Sequence, residues 1–283
     1  MKQTWTYAAA TAALCVLTLS TTGCEKLRAR DELNKGVQSF KGARYPEAVN
    51  HFRSAVDLDP TFPAARLYLA TAYMSQWIPG ADSPDNKKMA QSAKDQFNKV
   101  LEQEPNNTTA IASIASLEYN EAKAVQGLEN KLKQMDEAKK WYEKLVTADP
   151  KSKEGYYSLG VISWEQWYPA FVLARQKAGM KMEDPGPIKK KDIRDELKDK
   201  YTKSLQYGLD NLNKALEIDP EYDDAMAYEN LIIRQRADLA DDPAQYKKDT
   251  ETADQWVQKA LETKKTKAAR ASQGPGGITM DKK

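Results

Sequence analysis

The sequence contains few of the residues from which enzyme active sites and metal sites are usually built. It has one histidine, His51, and two cysteines, Cys15 and Cys24, in 283 residues. Because both cysteines precede position 25, the remainder of the chain can form neither a disulfide nor a thiolate metal site. A single histidine also leaves little opportunity for general-base catalysis or metal ligation. We therefore expect no catalytic residues, no metal and no cofactor.

The sequence also lacks an excess of either charge, and turn-forming residues are scarce. The 43 Lys and Arg residues nearly balance the 41 Asp and Glu residues, so no large positive field is available to attract nucleic acid. Glycine and proline number only 13 each, which disfavours a turn-rich β protein and suits long helices. Phosphate-binding glycine loops and the G-x-S-x-G and H-E-x-x-H motifs are absent. An all-α binding protein is favoured over an enzyme.

Residues 1–23 have the pattern of an export signal. Lys2 precedes an apolar run from Trp5 to Leu19, and small residues follow up to Cys24. The run is too short for a stable transmembrane span. Cys24 after Gly23 resembles the lipobox of bacterial lipoproteins, although Thr21 stands where those sequences usually carry Leu. We interpret Cys24 as the lipid attachment site of an exported, periplasm-facing chain, anchored to the cell membrane or the outer membrane. Cleavage by an ordinary signal peptidase is the alternative.

A pattern of apolar residues recurs five times along the rest of the chain, and four of the copies are followed by a proline. The prolines are Pro60, Pro105, Pro150 and Pro220, and a fifth copy of the pattern has Lys265 in the corresponding place. Offsets of four and three residues put each apolar trio on one stripe of a helix that ends just before the proline. The trios are Ala48, Phe52, Ala55; Ala93, Phe97, Val100; Ala138, Tyr142, Leu145; Gly208, Leu212, Ala215; and Ala253, Val257, Ala260.

This pattern resembles the tetratricopeptide-repeat (TPR) family, whose 34-residue unit is a pair of antiparallel helices. The small residue of the first helix falls at Gly36, Ala70, Ala115, Gly160 and, less well, Asn230. The resemblance implies an all-α, TPR-like solenoid of about five helical hairpins. The spacings of 34, 45, 45 and 70 residues imply that units two to five are elongated, mostly in their second helices.

The repeat domain is predicted to cover residues 24–265, with an insertion at about 165–205 in the fourth unit. Within it we predict a short helix over 170–182, a surface loop over 183–186 and a long helix from Pro187 to Glu217. Starts at Ser83-Pro84 and Asp242-Pro243 are predicted for two of the second helices. Residues 266–283 are predicted to be a disordered tail.

The resemblance also indicates where a partner would bind. First helices line the concave groove of TPR arrays. Alignment of the repeats puts the following residues in that groove: Phe40, Met74, Tyr119, Trp164 and, in an adjoining row, Tyr157. Membership of the core is the alternative for these side chains. Trp77 and Trp167 each precede an X-Pro pair at the same register and are predicted to end a first helix. They are interpreted as plugs between helices or, alternatively, as anchors on one rim.

The predicted function is that of a non-catalytic protein–protein interaction scaffold, tethered at Cys24. Its expected partners are other proteins of an envelope complex, together with the membrane through the lipid, and not nucleic acid. The alternative is an envelope protein that binds peptide or cell-wall fragments in the 165–205 insertion. A compact pocket formed by Phe171, Met180 and Met182 would favour that alternative.

Overall fold

The computed structural model describes residues 23–272, and every regular element in that range is an α-helix. Residues 1–22 of the predicted signal and residues 273–283 of the predicted tail lie outside the described residues. The helices are α1 (23–41), α2 (Tyr45–Leu58), α3 (Pro63–Met74), α4 (Pro84–Gln103), α5 (Thr108–Ala124), α6 (Leu128–Ala148), α7 (Lys153–Lys177), α8 (Lys191–Ile218), α9 (Asp223–Ala237) and α10 (Pro243–Ser272).

The ten helices of residues 23–272 form five successive pairs, each with a first and a second helix, in the predicted order. This confirms the all-α, TPR-like fold. They belong to two compact units. The first unit, up to Gln126, contains α1 to α5, and the second, from Gly127, contains α6 to α10. The helices of the third predicted hairpin, α5 and α6, are therefore divided between the two units.

In the first unit, the core is built from the stripes that the repeat pattern predicts. Ala48, Phe52 and Ala55 are fully buried, as are Ala93, Phe97 and Val100 of the next repeat. Gly36 of α1 lies so close to the ring of Phe52 that a Cβ atom at position 36 would overlap it. The small residue of the first helix thus allows α2 to approach α1 closely.

The predicted starts of the second helices are confirmed by their caps. Ser83 Oγ accepts a 3.2 Å hydrogen bond from the backbone N–H of Asn86, and Pro84 opens α4. Asp242 Oδ1 likewise accepts a 2.8 Å bond from the N–H of Gln245 at the start of α10. Both caps satisfy an N–H group that has no partner within the helix. With 20 residues in α4 and 14 in α2, the predicted lengthening of the second helix is confirmed.

In the second unit, α7 and α8 approach each other at two glycines. A Cβ atom at Gly160 would lie 2.5 Å from Leu212 Cγ and 3.2 Å from the carbonyl oxygen of Gly208. Because neither glycine has a side chain, the two backbones pack directly together. The main core of this unit surrounds the contact and includes the fully buried Leu205 and Ile232.

The prediction for the fourth unit is wrong in its details. α7 does not end before Pro169 but continues through it to Lys177, so no separate helix covers 170–182. Pro169 has no N–H to donate to the carbonyl of Glu165. The helix continues because the next turns carry the buried side chains of Phe171 and Ala174, whose packing outweighs the missing bond. α8 begins at Lys191 instead of Pro187.

The segment 178–190 between α7 and α8 is tied down by a buried arginine. Arg175 Nη2 donates to the carbonyl oxygens of Lys181 at 2.7 Å and Asp184 at 2.6 Å. Its Nη1 pairs with the carboxylate of Asp238, the residue that follows α9. The backbone N–H of Ile188, a buried residue, donates to the Asp238 carbonyl at 2.9 Å. The predicted surface loop is thus part of a wider connection that is anchored to the core.

The predicted disordered tail begins too early. α10 continues to Ser272, so residues 266–272 are helical. Arg270 Nη1 lies 2.8 Å from both carboxylate oxygens of Glu221, and Lys267 pairs with Asp223, which attaches the end of α10 to the start of α9. None of the described helices has the length and apolarity needed to span a bilayer.

Candidate functional site

The predicted partner-binding residues of the first unit are half-buried. Phe40 on α1 contacts Tyr45 edge to face at 5.2 Å between ring centroids. Met74 lies at the end of α3, and the ring of Tyr119 on α5 has the ammonium group of Lys123 5.4 Å from its centroid. Of the three, Phe40 packs against a core cluster of the first unit, and each keeps part of its surface accessible. Their place in a groove stays a prediction.

Trp77 lies in the connection after α3, as the proline pattern predicts. The buried Asn86 of α4 holds this connection. It donates to the carbonyls of Ile78 and Ala81 at 2.8 Å and accepts a 2.6 Å bond from the N–H of Ile78. Trp77 is half-buried, and Ile78 beside it is 64% exposed. The rim-anchor and plug hypotheses both remain open for Trp77.

Trp167 is not on a rim, and the prediction that it forms a surface anchor is wrong. Its side chain is 0% exposed and packs against Phe171 and Tyr201 with centroid distances of 5.4 and 5.2 Å. Its indole N–H donates a 2.8 Å hydrogen bond to Gln235 of α9. Trp167 is therefore a plug between α7, α8 and α9, which is the first of the two interpretations that the sequence suggested.

The remaining two predicted residues, Tyr157 and Trp164, belong to a row of five rings that we call the aromatic strip. The rings contact one another in the order Tyr222, Tyr157, Tyr228, Trp164 and Tyr168. In that order, the distances between the centroids of neighbouring rings are 5.0, 5.7, 5.6 and 4.8 Å. All five are half-buried and pack on the core of the second unit.

The helical register explains the strip. Positions 157, 164 and 168 of α7 are spaced by seven and four residues and so share one helix face. Tyr222 and Tyr228 come from the start of α9, which packs beside α7. Tyr168 was detectable in the sequence because it follows Trp164 by four positions. Tyr222 and Tyr228 were missed because the groove register of the fifth unit selects Ala227 and Arg234 instead.

The strip has a distinct electrostatic environment. Burial raises the pKa of both Tyr157 and Tyr222, the latter to about 12, and the charge of Asp224 adds to both shifts. Burial also raises the pKa of Tyr228, with Glu165 and Asp224 adding to the effect. The tyrosines therefore remain neutral hydrogen-bonding groups at physiological pH. Lys153 Nζ lies 5.2 Å from the centroid of the Tyr222 ring.

A second titratable feature lies on α9, at the position after Tyr228. Glu229 of α9 is only 1% exposed, and its Oε1 has no hydrogen-bond partner among the described residues. Burial raises the pKa of Glu229 to about 8, with Asp210 adding to the shift and Arg236 opposing it. A neutral carboxyl group is therefore preferred in the folded state. The group faces the protein interior and offers no surface to a partner.

An open pocket of about 500 Å³ lies between α8 and the connection from α9 to α10. Ion pairs line it: Lys198 with Asp241 at 2.6 Å, and Arg236 with Asp249 at 3.3 Å. Its charged groups thus already have partners. Of the three residues whose convergence in a pocket would favour ligand binding, Phe171 and Met180 are buried and Met182 is 47% exposed.

Cys24, the predicted lipid attachment site, carries an exposed free thiol near the start of the described chain. Its sulfur is thus accessible to a modifying enzyme. Within residues 23–272, no three His, Cys, Asp or Glu side chains come together in a way that would hold a metal ion.

Comparison with known proteins supports the repeat assignment. The tetratricopeptide-repeat family profile matches residues 128–152, which cover α6 and the turn into α7. The fold is similar to that of MamA from Desulfovibrio magneticus RS-1, with a TM-score of 0.53 and 17% identity over 84% of this chain and 96% of that one. The chain therefore contains a segment that matches the tetratricopeptide repeat, within an all-α, TPR-like fold.

Two further MamA structures show the same likeness. A MamA RS-1 double mutant gives a TM-score of 0.54 at 17% identity, over 86% of this chain and 97% of that protein. Another MamA crystal structure gives 0.53 at 12% identity, over 86% and 94%. At such identities the similarity concerns the fold alone. No curated protein sequence matches this chain.

Proposed function

We propose that this TPR protein is a non-catalytic scaffold that binds other proteins through the aromatic strip on α7 and α9. The TPR fold itself suggests protein–protein interaction. The observation that carries the proposal is the strip: five consecutive, half-exposed rings on the first helices of units four and five. Tyrosine and tryptophan are the residues most often found at the energetic centres of protein interfaces.

The scaffold is proposed to work in a bacterial cell envelope, tethered by a lipid on Cys24. The support is the sequence of residues 1–24, together with the exposure of the Cys24 thiol. Two or more acyl chains on this cysteine would give a stable tether, because each buried methylene contributes about 0.8 kcal/mol. The partners are then other proteins of an envelope complex.

Site-specific cross-linking tests the scaffold function. A photo-reactive phenylalanine analogue replaces Tyr168 in the strip or, as a control, the exposed Leu173 on another part of α7. We expect discrete cross-linked proteins in cells from position 168, absent from position 173 and reduced when Trp164 is also changed to Ala. Equal patterns from both positions would show that the strip is not an interface.

The tether is tested separately by growing cells with an alkyne fatty acid. The wild-type chain should incorporate the label, and Cys24→Ser should not. Incorporation that is unchanged in Cys24→Ser, or absent from both chains, would contradict lipidation at this residue. Neither result bears on the strip.

The alternative function, binding of peptide or cell-wall fragments, has one supporting observation. The pocket of about 500 Å³ is lined by Lys198, Thr202 and Leu205 from the end of the 165–205 insertion. In the variant Thr202→Trp, a large side chain would fill this pocket. If this variant no longer cross-links to partners from position 168, the pocket takes part in partner binding.

A further inference from the structure

The last turns of α10 run antiparallel to the first turns of α9. Thr263 Oγ1 lies 3.7 Å from the sulfur of Met226, to which it donates a weak hydrogen bond. One turn further along α10, Lys267 pairs with Asp223. As α10 proceeds toward its end, its contacts therefore move back toward the start of α9.

The end of α10 is held beside the first ring of the aromatic strip. Arg270 Nη1 lies 2.8 Å from both carboxylate oxygens of Glu221, the residue that precedes Tyr222. Tyr222 is the N-cap residue of α9, and its ring contacts the next ring of the strip, that of Tyr157. The chain thus leaves α10 after Ser272 at the same end of α9 at which the strip begins.

Residues 273–283, which lie outside the described residues, are long enough to follow the strip. The four distances between neighbouring ring centroids, 5.0, 5.7, 5.6 and 4.8 Å, add up to about 21 Å. A helix with its side chains is about 10–12 Å across. At roughly 3.4 Å per extended residue, residues 273–277 would cover roughly 17 Å and residues 278–283 roughly 20 Å. The first part can pass round the start of α9, and the second matches the length of the strip.

The sequence of this segment suits both parts of such a path. Residues 274–277 read Gly-Pro-Gly-Gly, a composition typical of turns. Ile278 and Met280 follow, and side chains two positions apart lie on the same side of an extended chain. The thioether of a methionine also packs favourably against aromatic rings. The segment therefore brings two apolar side chains to one face.

Apolar contact, not charge, is what the strip offers to this segment. The Lys153 ammonium group lies 5.2 Å from the centroid of the Tyr222 ring and already uses that ring. Among residues 23–272, no Lys or Arg makes a comparable contact with the rings of Tyr228, Trp164 or Tyr168. These three half-buried rings are where apolar side chains can pack.

We propose that residues 273–283 fold back onto the aromatic strip and occupy it while no partner is bound. Ile278 and Met280 pack on the rings of Tyr228 and Trp164, and a partner protein must displace them. Because the segment belongs to the same chain, its effective concentration at the strip is on the order of millimolar, so weak contacts are enough to hold it. This inference rests on the proposed function, since it takes the strip as a binding surface, and it names the resident occupant of that surface.

Cross-linking within the purified chain tests the contact. The photo-reactive phenylalanine analogue replaces Tyr168 in the full chain, purified in detergent, or replaces the exposed Leu173 as a control. After irradiation and digestion, mass spectrometry should find position 168 joined to a peptide from residues 273–283. Position 173 should not be joined to it. Absence of the cross-link from position 168 would overturn the inference.

Substitutions in the segment show whether its apolar side chains hold it in place. Ile278→Ser combined with Met280→Ser should lower the yield of this cross-link about fivefold or more, because the packing on the rings is lost. Thr279→Ser, on the opposite side of an extended segment, should cross-link like wild type. Equal yields from all these chains would contradict the packing of Ile278 and Met280.

A mixture of isotopically light and heavy chains identifies which chain supplies the segment. Cross-links that join light to light and heavy to heavy sequences support the proposal. Cross-links that join light to heavy sequences would identify a second copy as the occupant and overturn the inference.

Truncation separates this inference from the scaffold function. In cells, a chain that ends at Ser272 should cross-link to partner proteins from position 168 in higher yield than the full chain, because the strip is vacant. An unchanged yield, together with no cross-link to residues 273–283, would overturn the inference and leave the scaffold function intact. A cross-link to residues 273–283, without partner cross-links from either chain, would support the inference and count against the scaffold function.

Discussion

The indole N–H of Trp167 donates a 2.8 Å hydrogen bond to the side-chain carbonyl of Gln235, joining α7 to α9 inside the core of the second unit. Both residues are buried, so the pair satisfies two polar groups that have no access to water. This bond fixes the level at which α7 and α9, the first helices of units four and five, contact each other. The aromatic strip is formed by the same two helices.

Trp167→Phe should therefore destabilise the protein although it keeps an aromatic ring. The change removes the donor and leaves the Gln235 carbonyl unpaired, which costs about 1–3 kcal/mol. Urea unfolding followed by circular dichroism measures the loss. Leu173→Ala, at a 49% exposed position of the same helix, is the control and should have little effect. Equal stability of Trp167→Phe and wild type would show that the hydrogen bond contributes nothing.

Glu229 predicts a pH-dependent stability. Because burial raises its pKa in the folded state from 4.5 to about 8, the folded protein binds a proton that the unfolded chain releases between those values. The stability that this group provides is complete below pH 4.5 and is lost as the pH rises through about 8. Glu229→Gln mimics the neutral acid, so the variant should become more stable than wild type toward pH 8, by up to about 1.4 kcal/mol per pH unit.

Urea midpoints at about pH 5, 6, 7 and 8 measure this effect, because they span the interval between the two pKa values. Glu196→Gln, on the exposed surface of α8, serves as the control and should follow the wild-type pH profile. Parallel profiles for wild type and Glu229→Gln would mean that Glu229 is already ionised in the folded protein.

Gly160→Ala tests the close approach of α7 and α8. The new methyl group would lie 2.5 Å from Leu212 Cγ, so the helices must separate or Leu212 must leave its rotamer. Overpacking of this kind costs about 1–3 kcal/mol. The comparison is with Gly42→Ala, where the added methyl meets the flexible end of Arg44 at 2.6 Å and the Gln38 carbonyl at an ordinary contact distance of 3.5 Å. If both variants melt at the same temperature, the glycine contact is not tight.

Arg175→Ala should loosen the connection over 178–190. The variant loses the bonds to the carbonyls of Lys181 and Asp184 and leaves Asp238 buried without its charged partner, a loss of about 3–5 kcal/mol. Hydrogen exchange should therefore accelerate first in residues 178–190. Lys190→Ala removes an exposed contact to the carbonyl of Lys177 in the same region and should leave exchange there nearly unchanged. Uniform acceleration over the whole unit would argue against a local anchor.

Much of the fold followed from periodicity. Apolar trios at offsets of four and three predicted which side of each second helix is buried, and Phe52, Phe97 and Leu212 are all 0% exposed. Caps such as Ser83-Pro84 predicted helix starts, because their chemistry depends on neighbouring residues alone. The candidate surface was predicted in part: Tyr157 and Trp164 belong to the strip, whereas Trp167, three positions further on, faces the core.

The errors arose where distant residues decide the outcome. Pro169 ends a helix by local rules, yet α7 continues because Phe171 and Ala174 are buried against other helices. Residues 266–272 resemble a polar tail, yet Arg270 and Lys267 find acidic partners at the start of α9. Neither partner is visible from the local sequence.

By itself, therefore, the sequence determined the helical repeat, the buried stripes and the scarcity of catalytic residues, since these depend on spacing and composition. Tertiary structure alone decided which aromatic residues reach the surface, because neighbouring positions on one helix turn by about 100° and face different environments. It also decided which rings contact one another. Tyr228 contacts Tyr157, 71 positions away in the chain, because α9 packs on α7.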